Sequence, residues 1–511
     1  MSVVKKLLSQ TAIYGLSSIV GRVLNYLLVP LYTAVFAPAE YGVVTDLYAW
    51  VAFLNVLFTY GMETTYFRFA ARLGADRLGL FRQVLTLLLI TSVGGGALLA
   101  LLADDLAALL RYPGQGRYVA WLGWTIAIDA VVAVPFARLR LEGKAARFAT
   151  LRLLNIGLIL AASWFFIMLA PTVPRPGAAL GGHWLRDEAW LRALVAATYD
   201  PGLGVGYVFI INLAANAVWL PLLWPQLRDW RPALSAGQWR ALLAYGLPLL
   251  VAGLAGMVNE VLDRQLLKWW LPPGFYPGLS NLGALGVYGA CYKLSIFMSL
   301  VIQAFRYAAE PFFFSQAQDK NSPRTFALVM KWFVVACCLI FLVISLFIDD
   351  FGLLLRSPVY RTGLAVVPLL LLANLFLGVY INASIWFKLT DRTRFGTWLA
   401  LGGAVLTIGL NYVLIPRLGY LGCAWATLAC YASMAVVCVA LGQRYYPIPY
   451  PVGRIGAYLA LAIGLVVLGM SWAPAGWWPR HLWQAGVVGV FAAVVVVVEV
   501  VGRRTVVGQV S

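Results

Sequence analysis

The chain has 511 residues, of which 62% are hydrophobic and 11% charged, and its mean hydropathy is +0.84. A water-soluble core cannot hide that much apolar surface, so the composition excludes a soluble protein and demands a polytopic membrane protein. The formal net charge of +18 invites a nucleic-acid reading, but the basic residues fall in alternate loops, the bias that orients membrane proteins, and no nucleic-acid partner is expected.

Apolar stretches of roughly 20 residues, the length that crosses a bilayer, recur about fourteen times and predict an all-α protein. Six run over Thr11 to Phe36, Tyr41 to Tyr60, Phe81 to Ala103, Tyr118 to Phe136, Thr150 to Ala170 and Gly204 to Leu223. Ala37-Pro38-Ala39 imitates a cleavage site, but the first run is too long for a signal peptide and contains Arg22, so it is expected to be retained. The outer loop from Pro171 to Leu203, with His183, Trp184 and Trp190, reads as an ordered loop whose Trp-rich middle suits a short interfacial helix. After a cytoplasmic linker at 224–238, six more stretches cover Trp239 to Val261, Leu282 to Ala304, Leu328 to Ile348, Leu364 to Phe387, Phe395 to Ile415 and Tyr420 to Leu441. Two extra helices, Ile455 to Trp472 and Leu482 to Val501, read as lipid-facing additions. The expected domains are thus a six-helix lobe at 1–223, the linker, a second six-helix lobe at 239–442, and the two added helices with a tail at 443–511. With the N-terminus in the cytoplasm, the loops holding Arg72, Lys144 and Lys320 share its side, and an even span count leaves the C-terminus there too.

The two lobes carry matching punctuation. Tyr41-Gly42, Leu47 and Glu63 align with Tyr288-Gly289, Leu294 and Glu310, and Arg147-Phe148-x-Thr150 aligns with Arg394-Phe395-x-Thr397, all at one offset. Tyr14-Gly15-Leu16 also matches Tyr245-Gly246-Leu247 once a short insertion is allowed. A duplicated membrane unit follows, and in transporters the substrate site lies between such units, around a central cavity. At that offset Asp46 falls opposite Lys293, which suggests a pair across the lobes.

Arg22, Asp46, Asp129, Glu260, Lys293, Arg306 and Glu310 fall within or at the ends of spans. A charge at the bilayer centre costs roughly 2.5–3.5 kcal/mol on the lenient scales, so these groups are expected to face a wet cavity or each other. Arg22, Lys293 and Arg306 are the candidate substrate-binding cations, because fixed guanidinium and ammonium groups suit a phosphate-bearing anion. Asp46, Glu63, Glu260, Asp263, Arg264 and Glu310 are the candidate gating or coupling groups. The plainer readings stand beside these: Glu260, Asp263, Arg264 and Lys268 as a salt-bridged stripe anchoring one helix end, and Arg306 with Glu310 as a local pair. Asp129 suggests no partner and reads as a buried, hydrogen-bonded or neutral carboxyl. The six cysteines lie in predicted spans without metal or disulfide spacing, no nucleotide-binding loop is present, and no cofactor or metal is expected.

These features converge on a known family. Gly21-Arg22, Leu28-Val29-Pro30-Leu31-Tyr32 with Glu40-Tyr41-Gly42, the Asp263-Arg264 pair, Tyr288 to Ser295 running on to Phe305-Arg306-Tyr307-Ala308-Ala309-Glu310-Pro311-Phe312, and Trp386-Phe387-Lys388-Leu389-Thr390-Asp391 resemble the Wzx-type polysaccharide flippases. That family belongs to the multidrug/oligosaccharidyl-lipid/polysaccharide exporter superfamily. The resemblance implies two six-helix lobes around a cationic cavity, alternating access, and transfer of undecaprenyl-diphosphate-linked oligosaccharide to the outer leaflet, without enzymatic chemistry. It also implies a monomer in the bacterial inner membrane, with polysaccharide polymerase and assembly proteins as partners. By the same resemblance Arg22 and Lys293 match lumenal basic positions, while Val23, where the lipid II branch is expected to have an acid, argues against that branch. Ion-coupled multidrug efflux and a membrane-embedded glycan polymerase or glycosyltransferase remain the alternatives. The first wants an acidic cavity, and the second wants acidic residues on a loop.

Overall fold

The computed structural model describes residues 19–21, 23, 24, 26–72, 76–173, 189–233, 235–316, 319 and 321–507, and every regular element among them is helical. Among the described residues, eleven helices are long and apolar enough to cross a membrane, or twelve when the bent pair Asn281–Leu294 and Ile296–Arg306 counts as one span. Residues 11–18, 22 and 25 of the first expected span lie outside the described residues, and the sixth, Gly206–Leu222, is apolar but short. Twelve of the fourteen expected spans are thus matched among the described residues when the bent pair counts as one, the first and the sixth being the two that are not. The chain divides into two compact units, Met1–Gly286 and Val287–Ser511.

In the first unit, Pro38 opens the Pro38–Thr59 helix at a position where a missing N–H costs nothing, and Glu40 reaches back to the Ala37 N–H at 2.9 Å. The span continues into Met62–Arg72 through Tyr60 and Gly61, both left-handed, with φ 30° and 73°. Arg77–Leu101, capped by Asp76, packs on Gly116–Leu141 through Phe81, Val84, Leu85, Leu88 and Val134. Phe136 stands edge-on to Trp219 at 4.4 Å and ties the latter helix to Gly206–Ala217 and the short helix after it. The segment predicted as a linker is pinned to this bundle: Arg82 donates to the Asp229 carbonyl at 2.8 Å, and Arg138 reaches the Gln226 carbonyl and the Asp229 carboxylate. In the outer loop the helix Ala189–Thr198 forms with Trp190 exposed, whereas His183 and Trp184 lie outside the described residues.

Two glycines permit one unusually close approach. A Cβ on Gly42 would stand 2.0 Å from the Leu282 carbonyl oxygen, and one on Gly286 would stand 1.9 Å from that of Pro38. Backbone meets backbone there, as small residues allow between membrane helices.

The second unit contains the break between Leu294 and Ile296, where the helix axis turns by 45°. Ser295 fills the break: its hydroxyl donates to the Tyr292 carbonyl at 2.7 Å and accepts from Asn374 at 3.4 Å. Ser322–Leu346 follows, then Val366–Ala383, Arg394–Leu418 and Tyr420–Tyr445. The last helices, Val452–Ser471 and Trp477–Val507, expose Val496 and Val497 on one face, as a lipid-facing addition should. Their other face is bolted to Ser322–Leu346 near both ends. At one end Lys331 pairs with Glu499, which also accepts from the Tyr458 hydroxyl at 2.9 Å; at the other Gln484 donates to the Leu346 carbonyl at 2.7 Å and Arg480 and His481 meet Asp349 and Asp350. All six cysteines are buried and reduced.

Candidate functional site

Asp46 sits two turns into the Pro38–Thr59 helix and is completely buried. Its partner is Lys268, whose Nζ lies 2.5 Å from Asp46 Oδ2 although 222 residues separate the two in the chain. Lys268 comes from the end of the 35-residue helix Ala236–Trp270, and Gln265, one turn earlier, donates to the Asp46 carbonyl at 2.9 Å. A third segment closes the cluster. The turn after Ala103–Leu109 presents the Leu110 carbonyl to Lys268 at 2.7 Å and the Tyr112 hydroxyl to Asp46 Oδ2 at 2.7 Å, and the ammonium lies 4.1 Å from the Tyr112 ring centre. Burial, then the charge of Asp46, hold the Tyr112 phenol far above its usual range, so it remains a donor.

Two oxygens of this cluster, Asp46 Oδ1 and Gln265 Oε1, are buried without a hydrogen-bond partner among the described residues. Beside it lies an apolar cavity of about 490 Å³, walled by Leu47, Trp50, Leu110 and Trp269 among others. Apolar walls of that kind lower the local dielectric and strengthen the ion pair. The offset pointed to Lys293 as the partner of Asp46; the ion pair forms instead within the first unit, with Lys268. The predicted stripe Glu260, Asp263, Arg264 and Lys268 is also divided. Asp263 and Lys268 are buried, Glu260 is exposed, and Asp263 accepts from the Arg264 backbone N–H at 2.8 Å, while Lys268 is committed to Asp46.

Glu63 pairs with Arg140, whose guanidinium lies 4.8 Å from the Phe67 ring centre. Next to it Arg138 bridges Glu142 and Asp229, each at 2.8 Å, and Lys144 adds a second bond to Glu142 at 2.7 Å. Partial burial raises the Glu142 carboxyl, but the bonds from Lys144 and Arg138 outweigh it and the net shift is downward. Asp129 does have a partner, Asn216, which donates to it at 2.9 Å. In the second unit Lys293 is exposed two residues before the Ser295 break, and Arg306 is exposed near the end of the same bent span. Arg22 and the Glu310 side chain lie outside the described residues. No group of three or more metal-ligating side chains occurs among the described residues. The assembled chemistry is fixed charge and hydrogen bonding.

Tyr112 and the Leu110 carbonyl were missed by sequence reasoning, although a signal exists. Asp104-Asp105, Leu109-Leu110-Arg111 and Pro113 recur as Asp349-Asp350, Leu354-Leu355-Arg356 and Pro358 at a constant offset. In the first unit this turn clamps Asp46; in the second the Tyr360 carbonyl, just beyond it, accepts from the Cys291 thiol at 3.2 Å. The recurring turn thus holds an ion pair in the first unit, and in the second the carbonyl just beyond it accepts from a thiol.

Among the described residues, eleven or twelve apolar spans and an ion pair buried inside a span define an all-helical, multi-pass membrane protein. The same fold occurs in solved membrane proteins. It is similar to the lipid II flippase MurJ in an inward closed conformation, with a TM-score of 0.67 at 10% identity over 94% of this chain and 98% of that one. It is also similar to an inward-facing multidrug resistance MATE family transporter of the MOP superfamily, with a TM-score of 0.60 at 16% identity over 85% and 95% of the two chains. An outward-facing multidrug resistance MATE transporter matches with a TM-score of 0.56 at 16% identity over 88% and 96%. Residues 35–174 match the family model described as polysaccharide biosynthesis protein. This match and the fold bear out the resemblance read from the sequence. No curated protein sequence matches the chain.

Proposed function

We propose that the protein is a flippase that carries undecaprenyl-diphosphate-linked oligosaccharide from the inner to the outer leaflet of the bacterial cytoplasmic membrane, by alternating access, for surface polysaccharide assembly. The observation that carries this reading is the match of residues 35–174, the stretch containing Asp46, Glu63, Tyr112 and Arg140, to the polysaccharide biosynthesis family. The fold alone is shared by lipid and drug transporters, so multidrug efflux is the competing reading. Fixed cations at Arg22, Lys293 and Arg306 favour the anionic substrate, with Arg22 and Lys293 as diphosphate anchors. Glu63, Glu260, Asp263, Arg264 and Glu310 serve as gate or coupling groups. An inside-negative potential favours outward movement of an anion by about 2.3 kcal/mol per charge per 100 mV, which drives export without ATP. The protein acts as a monomer with both termini cytoplasmic, alongside a glycan polymerase and assembly proteins, and performs no chemistry itself.

The test is surface glycan export at matched protein abundance. Arg22→Ala and Lys293→Ala are expected to reduce export and to leave resistance to cationic drugs unchanged. Normal glycan in the double variant, or a loss of drug resistance in its place, overturns the reading.

A further inference from the structure

The helices Arg394–Leu418 and Tyr420–Tyr445 pack antiparallel across Gly419, which takes φ 58° to make the turn. Between them runs an apolar groove of about 440 Å³. Trp398 and Gly402 line it from one helix and Val437 and Leu441 from the other. Helical spacing places a charge on each stripe. Arg394, Trp398 and Gly402 follow one another at intervals of four, and Val437, Leu441 and Arg444 at intervals of four and three, so each arginine shares the face of its groove-lining neighbours. Because the helices are antiparallel, Arg394 at the start of one and Arg444 at the end of the other come to the same end. Arg392, 4.3 Å from the Tyr445 ring centre, and Lys388 add to that end, and Asp391 is the one acid between residues 388 and 394. The basic-loop bias puts this end on the cytoplasmic side.

We propose that the groove is a binding site for an anionic glycerophospholipid of the cytoplasmic leaflet, with one acyl chain along Trp398, Gly402 and Val437 and the phosphate held by Arg394 and Arg444. Basic residues at the cytoplasmic mouth of an interhelical groove are the arrangement that selects anionic headgroups. The volume fits as well. At roughly 30 Å³ for each water-sized unit, the groove holds about fifteen methylene-sized groups, one fatty acyl chain, and is short for a long polyisoprenoid. Gly402 leaves the space open, since a Cβ there meets no atom within 4 Å. A larger side chain at this position enters the groove without displacing protein.

The experiment is native mass spectrometry of the purified full-length protein, titrated with phosphatidylglycerol, phosphatidylcholine or undecaprenyl phosphate. Wild type is expected to retain phosphatidylglycerol about tenfold better than phosphatidylcholine. Arg394→Gln with Arg444→Gln is expected to erase that preference, and Gly402→Leu to reduce retention of both phospholipids at an unchanged lipid-free melting temperature. Equal retention of the two phospholipids by wild type overturns the proposal, as does indifference of retention to all three substitutions. Displacement of phosphatidylglycerol by equimolar undecaprenyl phosphate also overturns it, and reassigns the groove to the transported lipid. Should the arginine pair unfold the protein, Gly402→Leu alone decides between these outcomes.

Discussion

Replacing Lys268 by Met should be among the most damaging single changes in the first unit. The ammonium and the Asp46 carboxylate are 3% and 0% exposed, so removing the lysine strands a charge that water cannot reach. Breaking a buried ion pair from one side costs about 3–5 kcal/mol, whereas exchanging both partners for uncharged groups of similar volume is often neutral. Among the described residues Tyr112 is the one other side chain on Asp46 Oδ2 and supplies a charge-assisted hydrogen bond of about 1.5–3 kcal/mol, too little to replace the lysine. Lys268→Met is therefore expected to unfold at a clearly lower temperature than wild type, and Asp46→Leu with Lys268→Met to recover at least half of the loss. Tyr112→Phe should fall between wild type and Lys268→Met. The assay is thermal unfolding of the purified protein in one detergent, followed by tryptophan fluorescence, with membrane abundance as the cellular readout. If the double variant melts no higher than Lys268→Met, the two groups are not coupled and the reasoning fails.

Gly42→Val or Gly286→Val should abolish accumulation of folded protein in the membrane, because each would place a side chain less than 2.5 Å from a carbonyl oxygen; near-normal abundance of either variant contradicts the observed approach. Glu142 titrates below its ordinary value in the folded protein, so its stabilising contribution is fully present above the unfolded carboxyl value of about 4.3 and is lost as pH falls through the lower folded value. The melting temperatures of wild type and Glu142→Gln should accordingly differ at neutral pH and converge below about pH 4; a constant difference across that range excludes the effect. Single cysteines at Lys144 and at Arg503 should both react with a reagent confined to the cytoplasm, and one at His183 only with a reagent added outside. Labelling of Arg503 from outside would overturn the even span count.

Apolar length made the helical fold legible, because it is written in local composition. Asp46 could be flagged from its cost alone. Its partner could not, since Lys268 stands four residues from Arg264 and eight from Glu260, where spacing along one helix supplies a complete and cheaper explanation. Only the crossing of two distant helices brings Lys268 to Asp46, and no periodicity encodes a crossing. Tyr112 was hidden differently: it occupies the variable position of the repeated Asp-Asp and Arg-x-Pro turn, where the second copy has Ser357. Asp129 looked solitary because its partner is a neutral amide, and an inventory of charges passes over Asn216.

The approach at Gly42 and Gly286 lies only one turn of helix from Asp46, and the two contacts resist separation in opposite ways. Bare peptide against bare peptide has no rotamer to unlock and no ion to rehydrate, and each atom pair contributes only about 0.1–0.2 kcal/mol of dispersion. Such a contact parts and re-forms readily, provided that nothing bulkier than hydrogen stands between the strands of backbone. Asp46, by contrast, is tied to the Ala236–Trp270 helix by an ion pair. The first turns of the Pro38–Thr59 helix are thus held at the tip by backbone packing alone and one turn further in by an ion pair.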